Sequence, residues 1–370
     1  MDQRGPHPRR VRGRRGRLKG APSGVLCVAV FLAAQVVEVY GLRGGNWSAL
    51  FFTSGVRSQP ELAQRERTYS YAGSPGYDSQ FYHWIAHDPL LERGLKRHVD
   101  TPQLRWRRIL VPALAWLTAL GQDRWIDPAL IAQQYLWVYL GGFWLGPWFL
   151  LVPAVLASVD RLTVDLAFAA LCCGLVHFES GKRRGMTLLI LALAALTRET
   201  GLLLIAATAV FWGRFGRFFD SGRALLSAFP ALFWYFWLLD QPGASDWRPV
   251  LSAGIWVAYP GLPPALTLLT RSLDLLSLAG AALAVVLAIG AVRRPAATLA
   301  DHAAAAFALF FAAFALFVPW YEPYGYVRVC SPMYLFLAMR GGVHDSPLLM
   351  SLPRLVLQLG GPLWRAARLF

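Results

Sequence analysis

Apolar residues in this chain run in long blocks, and polar positions are gathered between them. Over 131–157, 186–213 and 273–292 the chain carries few charges or none. Blocks of about 18 or more apolar residues predict membrane-spanning helices, because a crossing segment must traverse about 30 Å of hydrocarbon with its backbone polar groups satisfied internally. Spans are predicted near 24–41, 109–120, 130–157, 164–178, 186–213, 224–239, 264–292, 303–319 and 327–340. The expected fold class is all-α, a polytopic transmembrane helical bundle of about 8–11 spans. The first block follows basic residues, as in a signal peptide. It is long for one, contains Glu38 and lacks a small-x-small cleavage site, so it reads as a retained helix.

Two blocks depart from a simple span. The 109–120 run is short and contains Pro112, which suits a tilted or half-inserted helix. The 186–213 run would be about 42 Å long as one helix, and Arg198 and Glu199 sit near its middle. A charge at that depth costs about 2.5–3.5 kcal/mol on insertion scales. A turn over Thr197–Thr200, between two half-length helices, removes both problems. The longest polar stretch, from Arg43 to Arg107, is predicted to be one large loop.

Charge adds a direction. The 370 residues carry a net +15, with 56% hydrophobic and 15% charged residues, against about 25% charged in ordinary soluble domains. Mean hydropathy is +0.42. Eight of the basic residues precede Gly20 and are interrupted by Gly and Pro. Residues 1–23 therefore read as a basic, disordered cytoplasmic tail suited to anionic lipid rather than nucleic acid. With 186–213 split, the basic loops at 182–184, 214–223 and 293–294 fall on the same side as both termini. Loop 43–107 then lies outside the cytoplasm. The organisation expected is a tail (1–23), a membrane domain (24–340) and a cytoplasmic or interfacial amphipathic tail (341–370), in what composition suggests is a bacterial inner membrane. Cys27, Cys172, Cys173 and Cys330 have no metal-ligand spacing and no disulfide pattern.

The segment richest in chemistry runs from Tyr77 to Pro89. Ser74-Pro75-Gly76 forms a turn before it and Pro89 ends it. Tyr77, Phe81, Trp84 and Ile85 recur at helical spacing, which predicts an aromatic face for the membrane interface. Asp78 shares a face with Tyr82, and is either a reactive carboxylate or a helix cap. His83 and His87 stand one turn apart, a spacing that can bind zinc. No Glu follows His83 and no third His is near, so contact with a lipid phosphate or sugar, or a plain interfacial role, fits better.

These residues resemble a known family. Tyr77 to Tyr82, continuing to Asp88-Pro89, is similar to the YDGQFYY…DP signature of bacterial GT-C-like membrane glycosyltransferases, distant relatives of polyprenyl-phosphate-mannose-dependent mannosyltransferases. Arg107-Arg108-Ile109-Leu110-Val111-Pro112 resembles RRILLP, Leu196 to Gly201 resembles LxRETG, and Glu322 to Arg328 resembles EPWNYLR. Ser79 stands where Gly is usual, and Gly325 where Asn is common. The resemblance spans most of 24–340. It implies a polyprenyl-phosphate sugar donor, an extracytoplasmic glycan, lipid or protein acceptor, inversion at the anomeric carbon, and Asp78 as base.

Under that reading Arg198 and Arg328 steady the leaving phosphate and Glu199 and Glu322 orient them. Gln80, Tyr82, His87 and Asp88 contact donor or substrate. Asp160 and Asp165 bind acceptor or metal, with a divalent cation as candidate cofactor. Each Arg/Glu pair is alternatively a structural ion pair. A transporter or flippase, or a non-catalytic glycolipid-binding protein, is the alternative for the whole chain. No internal repeat supports transport.

Overall fold

In the computed structural model, residues 20–241, 264–313 and 323–367 are described. Their regular secondary structure is helical apart from one short parallel pairing of β1 (Thr53–Ser54) with β2 (Ser70–Tyr71), in register Thr53 with Ser70. The chain opens with α1 (Ala21–Arg43). The polar stretch that follows holds three short helices, α2 (Glu61–Arg65), α3 (Asp78–His87) and α4 (Pro102–Arg107). Next come α5 (Leu110–Thr118) and α6 (Asp123–Leu145). Gly146 at positive φ, followed by Pro147, ends α6. The block expected as one span over 130–157 therefore breaks, and its last residues form a 3₁₀ turn and α7 (Pro153–Ala157).

The next helices are α8 (Val164–Ser180), α9 (Arg184–Thr197), α10 (Gly201–Arg214), α11 (Phe218–Leu226) and α12 (Phe229–Leu239). After 242–263 come α13 (Pro264–Val292) and α14 (Leu299–Ala313), then α15 (Pro323–Ala338) and α16 (Ser346–Ala367). Among the described residues, three helical stretches are long and apolar enough to cross a membrane: Ala21–Arg43, Phe218–Leu239 and Thr267–Val292. Their exposed side chains are themselves apolar: Val25, Val30 and Val37 on α1, Phe229, Phe233 and Phe236 on α12, Leu268, Leu275 and Val286 on α13. Such surfaces suit hydrocarbon and not water.

The 186–213 run is split as expected. Residues 198–200 separate α9 from α10, each 14 residues long. The hairpin closes so tightly that a Cβ on Gly201 would sit 2.4 Å from the Ala194 carbonyl carbon and oxygen. Gly201→Ala is expected to destabilise the protein by about 1–3 kcal/mol through overpacking, read as a lower Tm in detergent. Gly213→Ala, whose Cβ would meet only the Ser221 hydroxyl at 3.8 Å, should leave Tm near the parent value.

The opposite ends of these helices gather the basic loops. Arg184 pairs with Asp220, Arg217 with Glu179, and Arg214 donates to the carbonyls of Val292 and Arg294. The stretch 341–370, expected as a cytoplasmic or interfacial amphipathic tail, contains α16, which packs against α13 and α1. Leu348, Ser351 and Leu355 are buried, and buried Arg354 pairs with Asp274 of α13 at 2.8 Å. All four cysteines are buried and none is in a disulfide.

Candidate functional site

Helix α3 begins where its sequence predicts. Gly76, at φ 78°, makes the turn, and a Cβ there would collide with the Gln80 amide. Gln80 Oε1 accepts from the Ser54 N–H at 3.0 Å and its Nε2 donates to the Pro75 carbonyl at 3.3 Å, fastening the turn to β1. Ser79 Oγ donates to the Phe51 carbonyl at 2.8 Å. At the far end, Asp88 accepts from the N–H groups of Glu92 (2.7 Å) and Leu95 (3.2 Å), so it caps the following turn. Gln80 and Asp88, expected to contact substrate, are thus occupied in holding the segment together. Residues Ser79 to His87 are all buried. The aromatic face predicted for the membrane interface packs inside the protein instead: Trp84 is 2% and Ile85 0% exposed.

The exception is Asp78, whose carboxylate remains partly accessible at 18% side-chain exposure. Two guanidinium groups from distant segments meet it. Arg105 of α4 reaches Oδ1 at 2.9 Å, and Arg328 of α15 reaches Oδ2 at 2.7 Å. Burial opposes ionisation, but the Arg105 and Arg328 charges outweigh it and hold the carboxyl well below the usual carboxylate range. Arg105 also pairs with Asp100 at 3.0 Å and lies over the Phe81 ring, 5.0 Å from its centroid. Arg328 continues to Asp165 of α8 at 3.2 Å and lies 5.1 Å from the Tyr77 ring centroid. Arg198, from the α9–α10 turn, pairs with the same Asp165.

Glu199 does not orient its neighbour Arg198. It takes a bidentate pair from Arg108, at 2.9 and 2.6 Å, and Arg108 also donates to the Tyr82 hydroxyl at 2.9 Å. Asp160 pairs with adjacent Arg161 at 3.1 Å, and Asp165 is spent on two arginines, so neither stands in a metal-ligand group among the described residues. Glu322 lies outside the described residues. Arg105 was not among the candidates expected from sequence, and Arg108 entered only as part of a motif. Both sit in a basic stretch, Arg105-Trp-Arg-Arg108, that reads equally well as a membrane-flanking cluster.

The arrangement can hold an anion. Arg198 Nε and Arg328 Nη1 are buried and make no hydrogen bond among the described residues. Spare guanidinium donors beside a carboxylate that is 18% exposed suit phosphate oxygens.

His87 is not part of this group. It lies at the other end of α3 and faces Glu66, Asp123 and Asp127. His83 accompanies it, 2.6 Å from Asp127 and stacked on Phe51 at 4.0 Å between ring centroids. Burial pushes the Glu66 carboxyl up to about 7. No family model matches the chain, and neither a curated protein nor a solved structure matches it.

Proposed function

We propose that this chain is a multi-pass inner-membrane glycosyltransferase of GT-C type, moving a sugar from a polyprenyl-phosphate donor to an extracytoplasmic acceptor with inversion. One observation carries the reading: arginines from α4, α15 and the α9–α10 turn converge on the Asp78 and Asp165 carboxylates, and Arg198 and Arg328 retain buried N–H donors without acceptors among the described residues. A leaving phosphate gains negative charge as the glycosidic bond breaks, and fixed cations at low dielectric stabilise that charge. The basic loops gather at the end of the bundle away from Arg198, which supports a cytoplasmic position for them and an outer position for Asp78.

In this mechanism Asp78 accepts the proton of the acceptor hydroxyl as that oxygen attacks the anomeric carbon. The bond to the phosphate oxygen breaks, and the phosphate leaves onto Arg328 and Arg198. Held by two guanidinium groups, Asp78 is ionised but weakly basic. A donor phosphate that takes Arg105 or Arg328 for itself removes part of that restraint, so basicity rises when the donor is bound.

The test is transfer of radiolabelled sugar from polyprenyl-phosphate donors by the purified protein, followed across pH. In the free protein Asp78 protonates only at very low pH, and its proton affinity rises in the donor complex. The acid limb of kcat should therefore lie at higher pH than that of kcat/KM. Coincident limbs would refute the exchange of partners. Absence of transfer with a panel of such donors would refute the enzyme reading.

A further inference from the structure

Four side chains from three segments converge beyond the far end of α3 from Asp78. His83 and His87, one turn apart, point their imidazoles to one side. Asp127 comes from the start of α6, and Glu66 from the residue that closes α2. One donor atom from each lies within 4.8 Å of all the others. Glu66 Oε2 is 3.8 Å from His83 Nε2 and 3.6 Å from His87 Nε2, and Asp127 Oδ1 is 3.6 Å from His87 Nε2. Around a tetrahedral zinc with bonds of about 2.0–2.2 Å, neighbouring ligand atoms stand roughly 3.3–3.6 Å apart. Those three spacings need almost no adjustment. The fourth of the six spacings, His83 Nε2 to Asp127 Oδ1 at 2.6 Å, is a hydrogen bond, and the remaining two lie within 4.8 Å. The hydrogen bond would open by roughly 1 Å once an ion replaced its proton.

A second observation concerns His87, whose side chain is 0% exposed. Its Nδ1 is bonded to Asp123 at 3.0 Å, and Asp123 is gripped by Arg93 at 2.6 and 2.8 Å. In the neutral ring, a carboxylate so held takes the Nδ1 N–H and leaves the Nε2 lone pair facing Glu66 and Asp127. That Nε2, and Glu66 Oε2, make no hydrogen bond among the described residues although both are buried. A carboxylate behind a histidine whose other nitrogen meets a ligand set is the outer-sphere arrangement of metal-bound histidines. Two imidazoles with two carboxylates suit zinc-class ions rather than magnesium or calcium, which take oxygen ligands.

We propose that Glu66, His83, His87 and Asp127 form a zinc-class metal site that clamps α3 to α6 and to the end of α2. Glu66 and Asp127 line an open groove of about 620 Å³ together with Trp47, Ser48, Ile131 and Tyr135, which gives an ion its way in. The clamp holds α3 at its C-terminal end and does not depend on the chemistry assigned to Asp78.

The full-length protein, purified in detergent without chelator, is analysed for bound metal, then stripped and titrated with Zn²⁺ and with Co²⁺. The expected result is about one zinc per chain, visible d–d absorption on Co²⁺ binding, and a Tm that rises with Zn²⁺. His87→Gln and Glu66→Gln should each weaken Co²⁺ binding at least 10–100-fold, roughly the loss seen even for outer-sphere changes. His98→Gln, which alters an exposed imidazole elsewhere, should keep parent affinity. A parent protein that retains no zinc and shows no Co²⁺ absorption overturns the site, whatever the variants do. Unchanged Co²⁺ affinity in a His83→Gln/His87→Gln double variant overturns it as well. Circular dichroism and gel filtration confirm that the variants are folded.

Discussion

Asp78→Asn is expected to lower sugar transfer by about 10²–10⁴-fold, the usual contribution of a general base. The substitution keeps the side chain's shape and its place at the start of α3, and removes only the proton acceptor. It also removes one negative charge facing Arg105 and Arg328. Both arginines keep another partner, Asp100 for Arg105 and Asp165 for Arg328, so neither is left alone. Donor affinity should therefore hold or tighten while kcat falls, because the guanidinium groups lose a competitor for the phosphate. Asp88→Asn is the comparison. Asp88 caps the turn after α3 through two backbone N–H groups, so its loss should cost about 1 kcal/mol of stability and leave turnover per folded molecule intact. Near-normal transfer by Asp78→Asn, with transfer lost in Asp88→Asn, would move the base to the other end of the helix.

How much of this was legible in sequence depends on the range of the interaction involved. The limits of α3 follow from Pro75-Gly76 and Pro89, and the break at Arg198–Thr200 from a run too long and too charged in its middle. These are local or length-based signals, and they need no knowledge of neighbours. The periodicity of Tyr77, Phe81, Trp84 and Ile85 marks side chains that are buried, in a helix that is buried all round from Ser79 to His87. It cannot say whether lipid headgroups or protein will cover it, since both environments favour aromatic rings.

Ion-pair partners were misread for a related reason. Adjacency suggested Arg198 with Glu199, yet each finds a partner from another segment: Asp165 on α8 and Arg108 before α5. The His83–His87 spacing was visible, but Glu66 and Asp127 stand 17 positions before and 44 after His83. No short-range motif joins them. They meet only because α6 packs beside α3 and the Glu66 side chain, at the end of α2, reaches the same histidines, an arrangement set by tertiary contacts the sequence pattern does not encode locally.

Asp165 carries the other large expected effect. Its side chain is 3% exposed and stands between Arg198 and Arg328. Replacing it with leucine, which shares its branching at Cγ, strands Arg198 without a carboxylate, while Arg328 keeps Asp78. Breaking a buried ion pair from one side costs about 3–5 kcal/mol, because the surviving charge is left desolvated. Asp165→Leu is therefore expected to destabilise the protein by about that amount, measured by denaturant unfolding in detergent. Asp165→Leu combined with Arg198→Met should recover much of the loss, since the stranded charge is then gone and apolar packing takes its place. Arg198→Met alone leaves Asp165 paired with Arg328 and should be the milder single change. A non-additive cycle, with the double variant more stable than Asp165→Leu, is the signature of a direct buried pair. Additive losses, or an Asp165→Leu variant within about 1 kcal/mol of the parent, would mean that these charges are solvated rather than locked, and the anion cradle built on them would lose its support.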